Sequence, residues 1–198
     1  MTTNTNTPTR NNRTLWLLLA LFVIPVVIAY LYFFFGPKPD TNNYGKLIVP
    51  VIDIETFKLA DKSGALLSRE ALTPMWRMYY FAGASCNKDC QLSLYNMRQI
   101  NIALGKNADR VQHVIVHLNQ PDNEFVKLAE AEHTAAINMF SQPEYISTLL
   151  KLENNTAETR SIYLVDPQGN VMMKFTKELT PKLILKDLNK LLKISQVG

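Results

Sequence analysis

The chain has 198 residues, 47% of them hydrophobic and 19% charged, with a formal net charge of +4. That length suits one folded domain once the N-terminal segment is set aside. Charge is close to balanced, 21 Lys+Arg against 17 Asp+Glu, and no basic cluster interleaves with aromatics, which argues against nucleic-acid binding.

Residues 1–13, MTTNTNTPTRNNR, are polar and lack apolar periodicity; they are expected to be a disordered cytoplasmic tail. Leu15 to Phe35 is a run of 21 residues without a charge. At 1.5 Å per residue it rises about 31 Å, the thickness of a bilayer's hydrocarbon core. Trp16 at one end and Tyr30 and Tyr32 at the other suit the interfacial belts. Pro25 should kink the helix, which membrane spans tolerate. A cleaved signal peptide would have a shorter apolar region followed by a small-x-small site. This run instead ends Tyr32-Phe33-Phe34-Phe35-Gly36-Pro37. Residues 14–36 therefore read as an uncleaved transmembrane helix in the lipid bilayer. Arg10 and Arg13 precede it, while Lys38 and Asp40 follow it. The positive-inside rule puts the N-terminus in the cytoplasm and the domain in the periplasm at a bacterial inner membrane, or the organellar equivalent. That compartment permits disulfides. Residues 37–45 read as a linker and 46–198 as the domain.

Leu47–Ile54 is short and apolar, an expected edge strand. Phe57–Leu66 reads as a β-hairpin turning at Asp61-Lys62-Ser63-Gly64. Ser68–Leu72 allows one helical turn before Pro74. Met78–Ala82 is a buried strand, and Leu92–Leu104 a helix with Leu94, Met97, Ile100 and Leu104 inward and Gly105 as its stop. Val111–Leu118 is a second strong strand. A helix follows with Pro121 in its first turn and Phe125, Leu128 and Ala129 inward. Ala136–Phe140 is a third strand. Ser141-Gln142-Pro143-Glu144 has the pattern of a capping box. Ser161–Val165 and Val171–Phe175 flank a turn at Asp166–Gly169, and Thr180–Ile194 closes the chain as a helix with Leu183, Leu185, Leu188, Leu191 and Leu192 mostly on one face.

The chemistry concentrates at Trp76–Cys90, WRMYYFAGASCNKDC, which holds the two cysteines of the chain. A strand ends in small residues and feeds Cys86 and Cys90 onto a helix start. The unpaired N–H groups there favour a thiolate over a thiol. Lys88 adds positive charge and Asp89 partly cancels it. Residues four apart share a helix face, with Cα atoms about 6 Å apart, within reach of a disulfide. The pair can cycle between dithiol and disulfide, hold a soft metal between two sulfurs, or form a purely structural bridge.

Other chemistry-bearing residues read as packing or surface. His113 and His117 share one face of a strand. His117 lies near the strand end where ligands collect in open α/β sheets, but a histidine in an apolar strand is more often a satisfied core residue. His133 follows Glu130 and Glu132 and is expected to face solvent. Asp53 and Glu55 flank a strand on its exposed side. Trp76 fills core rather than covering the cysteines. Of Met172 and Met173 one should point inward and one outward.

Strand–helix–strand–helix, then a hairpin and a last helix, is the order of a thioredoxin-like α/β domain. The anchor, the Asp61-x-x-Gly64 hairpin and YYFAGASCNKDC together resemble the Sco/SenC family of copper-dependent cytochrome oxidase assembly factors. So do Gln142-Pro143-Glu144 before a helix and Ser161-Ile162-Tyr163-Leu164-Val165-Asp166-Pro167-x-Gly169. The likeness covers about residues 45–195. It implies a thioredoxin-like fold with an N-terminal β-hairpin, a cysteine pair spaced by three residues, and a respiratory oxidase subunit or its copper-delivery proteins as partner. Two departures stand out. Asn87 occupies the place of the family's proline, and Glu158 that of its copper-binding histidine. Thioredoxin's cis-proline before the hairpin has no counterpart in Thr159-Arg160-Ser161. The expected function is therefore thiol–disulfide chemistry by Cys86 and Cys90 in oxidase biogenesis, with Cys86 attacking and Cys90 resolving. The alternatives are a copper chaperone using the same two sulfurs, and a non-catalytic assembly scaffold with a static disulfide.

Overall fold

A computed structural model describes residues 12–35, 43–152 and 161–195. The expected disordered tail lies almost wholly outside these residues, as do most of the linker, Glu158, Thr159 and Arg160. Helix α1 and the residues from Asn43 onward form separate compact units.

Helix α1, Asn12–Phe35, contains the apolar run Leu15–Phe35, with a mean hydropathy of 2.7. It is long and apolar enough to cross a membrane. Its apolar side chains are exposed all round, with Pro25 inside the helix.

The second unit is a six-stranded mixed sheet between two layers of helix. Its strands are β1 Lys46–Asp53, β2 Trp76–Ala82, β3 Val111–His117, β4 Ile137–Phe140, β5 Ile162–Val165 and β6 Asn170–Phe175. The spatial order is β1-β6-β5-β2-β3-β4. β2, β3 and β4 run parallel, joined by crossover helices. β5 and β6 return antiparallel, and β1 adds an antiparallel edge beside β6. This is the thioredoxin-like arrangement with an extra N-terminal strand.

The helices are α2 Arg69–Leu72, α3 Lys88–Ala103, α4 Asn123–Glu132, α5 Ser147–Leu152 and α6 Pro181–Ile194. β2 is buried along its whole length, so its side chains serve both faces of the sheet. Met78, Tyr80 and Ala82 pack with Leu94, Met97 and Ile100 of α3 and Ile184, Leu188 and Leu192 of α6. Tyr79 and Phe81 pack on the other face with Phe57, Leu72, Ile146 and Leu149. Such two-sided burial is why β2 reads as a continuous apolar run.

Several local expectations are corrected. Helix α3 begins at Lys88, four residues earlier than Leu92, because Asn87 caps it. It ends where Gly105 takes φ +54°, a left-handed conformation that glycine adopts without strain. The Phe57–Leu66 hairpin shrinks to one bridge, Ala60 to Leu66, with the tight turn held by Asp61 as expected. Ala60 also bridges Phe140, so this segment edges β4. Pro121 lies before α4, whose N-cap is Asp122. Ser141 caps nothing: its hydroxyl donates to the Phe57 carbonyl, and the following turn, Pro143–Ile146, starts from Gln142. On α6 the buried residues are Ile184, Asp187, Leu188 and Leu192, while Leu183, Leu185 and Leu191 are half-buried flanks.

The Asp166–Gly169 turn explains the VDPxG motif. Asp166 Oδ1 accepts from the N–H groups of Gln168 and Asn170, each at 2.9 Å. Gly169 takes φ +90° with its backbone against Ile54, which leaves no room for a β-carbon without strain.

Candidate functional site around Cys86 and Cys90

β2 ends at Ala82, and the chain passes through Gly83, Ala84 and Ser85 before Cys86. Two backbone bonds hold this loop to the segment after β3: Leu118 N–H donates to the Ala82 carbonyl at 2.9 Å, and Asp122 N–H to that of Ala84 at 2.8 Å. Ala84 and Ser85 are exposed. Asn87 then turns the chain into α3 with φ −68° and ψ 178°, and its Oδ1 accepts from Cys90 N–H at 3.0 Å. Asparagine is among the best residues for that task. Asn87, one of the two residues that depart from the Sco/SenC pattern, is thus the helix cap.

Cys86 precedes the cap and Cys90 is the third residue of α3, so one sulfur sits outside the helix and one inside it. They form a disulfide with the Cα atoms 5.2 Å apart, rather closer than the 6 Å of two helical positions because Cys86 is not helical. Cys90 is 2% exposed and belongs to the core, whereas Cys86 is half-buried at its margin. Solvent therefore reaches the pair from the Cys86 side. Gln91 Nε2 donates to the Cys86 carbonyl at 3.0 Å and fixes the loop from below.

The surrounding charges are arranged asymmetrically. Lys177 Nζ lies 3.2 Å from Asp89 Oδ2, which offsets the acid nearest the helix start. Lys88 is exposed between the cysteines. On the other side a cleft of about 260 Å³ opens beside Cys86, lined by Ser85, Gln91, Asp122, Glu124, Phe125 and Leu128. Its floor is apolar and its rim acidic. Asp122 also caps α4, accepting from Phe125 N–H at 2.7 Å. None of these α4 residues was assigned to the site from the sequence, although an Asp three residues before an apolar position is a recognisable cap signal.

The histidines are core residues. His117 pairs in register with Ala82, so it reaches the sheet edge from which the cysteine loop departs. Its ring stacks on Phe140 at 5.1 Å, tilts against Phe125 at 5.1 Å, and its Nε2 is 2.8 Å from Asn138 Oδ1. Its Nδ1 is buried without a hydrogen-bond partner among the described residues. Burial, and then the nearby Lys62, hold its pKa below the usual imidazole range, against the opposing effect of Asn138. His113 is lowered by burial and by His133. His133 is not solvent-facing: it is 4% exposed. Helix α4 stops at Glu132, and the turn that follows folds His133 inward, its carbonyl accepting from Ala136 N–H. Burial lowers its pKa in turn.

Trp76 and the two methionines take the structural roles expected of them, whereas Asp53 and Glu55 belong to a capped turn after β1 rather than to the exposed side of a strand. Trp76 is core, its indole N–H reaching Ser195 Oγ at 3.4 Å, at the opposite end of β2 from the cysteines. Met173 is buried and Met172 half-buried. Asp53 caps the turn after β1 and pairs with Arg69 at 2.8 Å, with Glu55 more distant at 3.8 Å. Among the described residues no three His, Cys, Asp or Glu side chains come together as a metal cluster.

Comparison with known proteins agrees with this geometry. No curated protein matches the chain. Among solved structures it is similar to Bradyrhizobium japonicum ScoI with copper bound, at 20% identity and a TM-score of 0.51, covering 68% of this chain and 96% of that one. Yeast Sco1 with copper bound aligns at 16% identity and a TM-score of 0.56, covering 80% and 96%. BsSco, a member of the Sco family of cytochrome c oxidase assembly proteins in which a disulfide switch was identified, aligns at 19% identity and a TM-score of 0.55, covering 74% and 96%. At these identities the likeness is one of fold, and it extends the resemblance read from the motifs to the whole domain. The family model for a transmembrane-like, thioredoxin-like C-terminal domain matches residues 76–195, from the first residue of β2 to the end of α6. The chain belongs to that family of transmembrane-like, thioredoxin-like proteins.

Proposed function

We propose that this chain is a membrane-anchored thiol–disulfide protein that assists cytochrome c oxidase assembly from the periplasmic side, with its N-terminus in the cytoplasm. One observation carries the reading: Cys86 is half-exposed beside an open cleft while its partner Cys90 is buried in the core. That asymmetry suits an attacking thiol and a resolving thiol. In the reduced chain the Cys86 thiolate, favoured by the start of α3, attacks one sulfur of a partner disulfide. The partner's other sulfur leaves as a thiolate and takes up a proton. Cys90, as its thiolate, then attacks the Cys86 sulfur of the mixed disulfide and releases the partner's second thiolate. Two electrons have passed to the partner, and the chain is left in the disulfide form. Oxidase subunits with copper-site cysteines need those cysteines reduced, which is the partner chemistry the Sco-like fold suggests.

The test is trapping. Cys90→Ser should accumulate a mixed disulfide with an oxidised dithiol peptide, and Cys86→Ser should not. Equal trapping by both variants would sink the assignment of roles.

Copper as cargo is the second reading, favoured by the copper-bound structures of ScoI and yeast Sco1. A disulfide presents no thiolate, so only the reduced chain fits copper, through Cys86 and Cys90. Cu(I) titration of the reduced chain, with loss of binding in Cys86→Ser, tests it. A static scaffold is the third reading, and a reduction potential below about −300 mV would select it.

A further inference from the structure

Helix α6 carries a charge pattern that the cysteine chemistry does not use. Lys182, Lys186, Lys190 and Lys193 are all exposed. At about 100° per residue they fall within an arc of roughly 80° along the helix. The single acid of α6, Asp187, is buried and accepts from Gly45 N–H at 2.8 Å. The outer face of the helix therefore presents lysine with no exposed acid of its own. Helix α4, beside the cysteines, is predominantly acidic instead, with Glu124, Glu130 and Glu132 exposed against one exposed lysine, Lys127.

The place where this face meets the chain's entry is informative. Lys186 Nζ lies 5.6 Å from the centre of the Tyr44 ring, and Lys190 Nζ lies 3.4 Å from Asn43 Oδ1. Asn43 and Tyr44 are the first described residues after the apolar helix. Only residues 36–42 intervene, which span at most about 28 Å when extended. The lysine face thus begins within a short reach of the segment that suits a bilayer. Tyr44 and Ile194 are 44% and 74% exposed at its margins, the kind of aromatic and aliphatic groups that enter a headgroup layer beside lysines.

We infer that the Lys182–Lys193 face of α6 binds the anionic phospholipid headgroups of the membrane that holds the anchor. Charge complementarity and tether length select this occupant. Each lysine at an anionic surface is worth about a fivefold change in partitioning, weakened by salt. The tether raises the local concentration of headgroups, so weak contacts suffice.

The experiment uses the full chain in lipid nanodiscs, either all phosphatidylcholine or with a large fraction of phosphatidylglycerol. It rests on α1 being embedded, and that is read first: a chain that does not co-purify with discs refutes the anchor and the tethered lysine face with it, whereas the labelling outcomes below bear on the lysine face alone. Lysines are then labelled with an amine-reactive reagent and located by mass spectrometry, with exposed Lys62 and Lys127 as internal references. Labelling of the four α6 lysines is expected to fall about fivefold or more in anionic discs at low salt. It should recover in 0.5 M salt, and the references should not change. Lys186→Gln with Lys190→Gln should restore labelling at Lys182 and Lys193. Equal labelling in both discs overturns the inference. Protection in neutral discs that grows with protein density would assign the face to a second copy, and protection only in native membranes to an acidic protein; either overturns it.

Discussion

The two ends of β2 and β3 are built from the same strands and held in different ways. At the amino ends, Arg77 is 5% exposed and donates to the carbonyls of Leu72 and Ala71 and to Gln112. Arg110 donates to the carbonyls of Leu192 and Ser195 at the end of α6. Those carbonyls are the unpaired acceptors that end a helix, and the arginines bind α2 and α6 to the sheet through them. At the carboxyl ends there is no such clamp among the described residues. A short loop of small residues is held by two backbone bonds and a capping asparagine, and the sulfurs stand at its edge. One end carries the arginine clamps and the other the cysteine pair, which is the division an open α/β sheet favours, since ligands gather beyond the carboxyl ends of its strands.

The largest effect expected from this contrast is at the amino end. Arg77→Met should lower global stability by about 3 kcal/mol, because it leaves the buried Leu72 carbonyl without its charged donor and removes two part-buried hydrogen bonds besides. Its rate of disulfide exchange should be unchanged. Urea unfolding alongside a peptide-disulfide assay separates the two readouts, and a stability loss below about 0.5 kcal/mol would break the comparison.

Reduction of the disulfide should cost less, about 2 kcal/mol, since it closes a very short loop whose unfolded-state entropy is small. A urea midpoint measured with and without a phosphine reductant checks this. A loss much beyond that would mean the bridge clamps the carboxyl end as firmly as the arginines clamp the other, and would favour the static scaffold.

The two ends of the sheet also differ in how far the sequence reveals them. The strands of the sheet, the cysteine helix and the turn at Asp166 were readable because burial imposes a period and a glycine or proline ends it. The cysteine pair was readable because thiols next to a helix start are chemically rare. Arg77 was not readable. Its position in an apolar run says nothing about which acceptors it meets: the carbonyls of Ala71 and Leu72 at the end of α2 and, on the neighbouring strand, Gln112. The cleft was missed for the same reason: Asp122, Glu124 and Phe125 approach Cys86 only when the segment after β3 bonds to Ala84. His133 was misread because a run of charged neighbours predicts an exposed helix face but not where that helix stops.

At the carboxyl end, Asn87→Ala should cost about 1 kcal/mol, the usual value of a lost cap. It also leaves Cys90 N–H without its acceptor, so one more unpaired donor points at the helix start. In the reduced chain the Cys86 thiol should then ionise at lower pH, as read from the pH dependence of iodoacetamide labelling. A cap loss with no change in that profile would separate the stability of α3 from the reactivity of its first turn.

The smallest effect is a dependence on pH spread over three histidines. Burial lowers the pKa of His113, His117 and His133 below the ordinary value of 6.5. In the unfolded chain they gain protons as pH falls through about 6.5, while in the folded domain they remain neutral to lower pH. The unfolded state thus binds more protons in that interval, and stability must rise with pH across it. Above 6.5 both states are neutral and the contribution is fully present. The urea midpoint should therefore fall as pH is taken from 7 to 5, before carboxylates such as Asp53, held low by Arg69, begin to titrate. His133→Gln should reduce that slope, because its ring is buried; an unchanged slope would return His133 to the solvent-facing role its neighbours suggest.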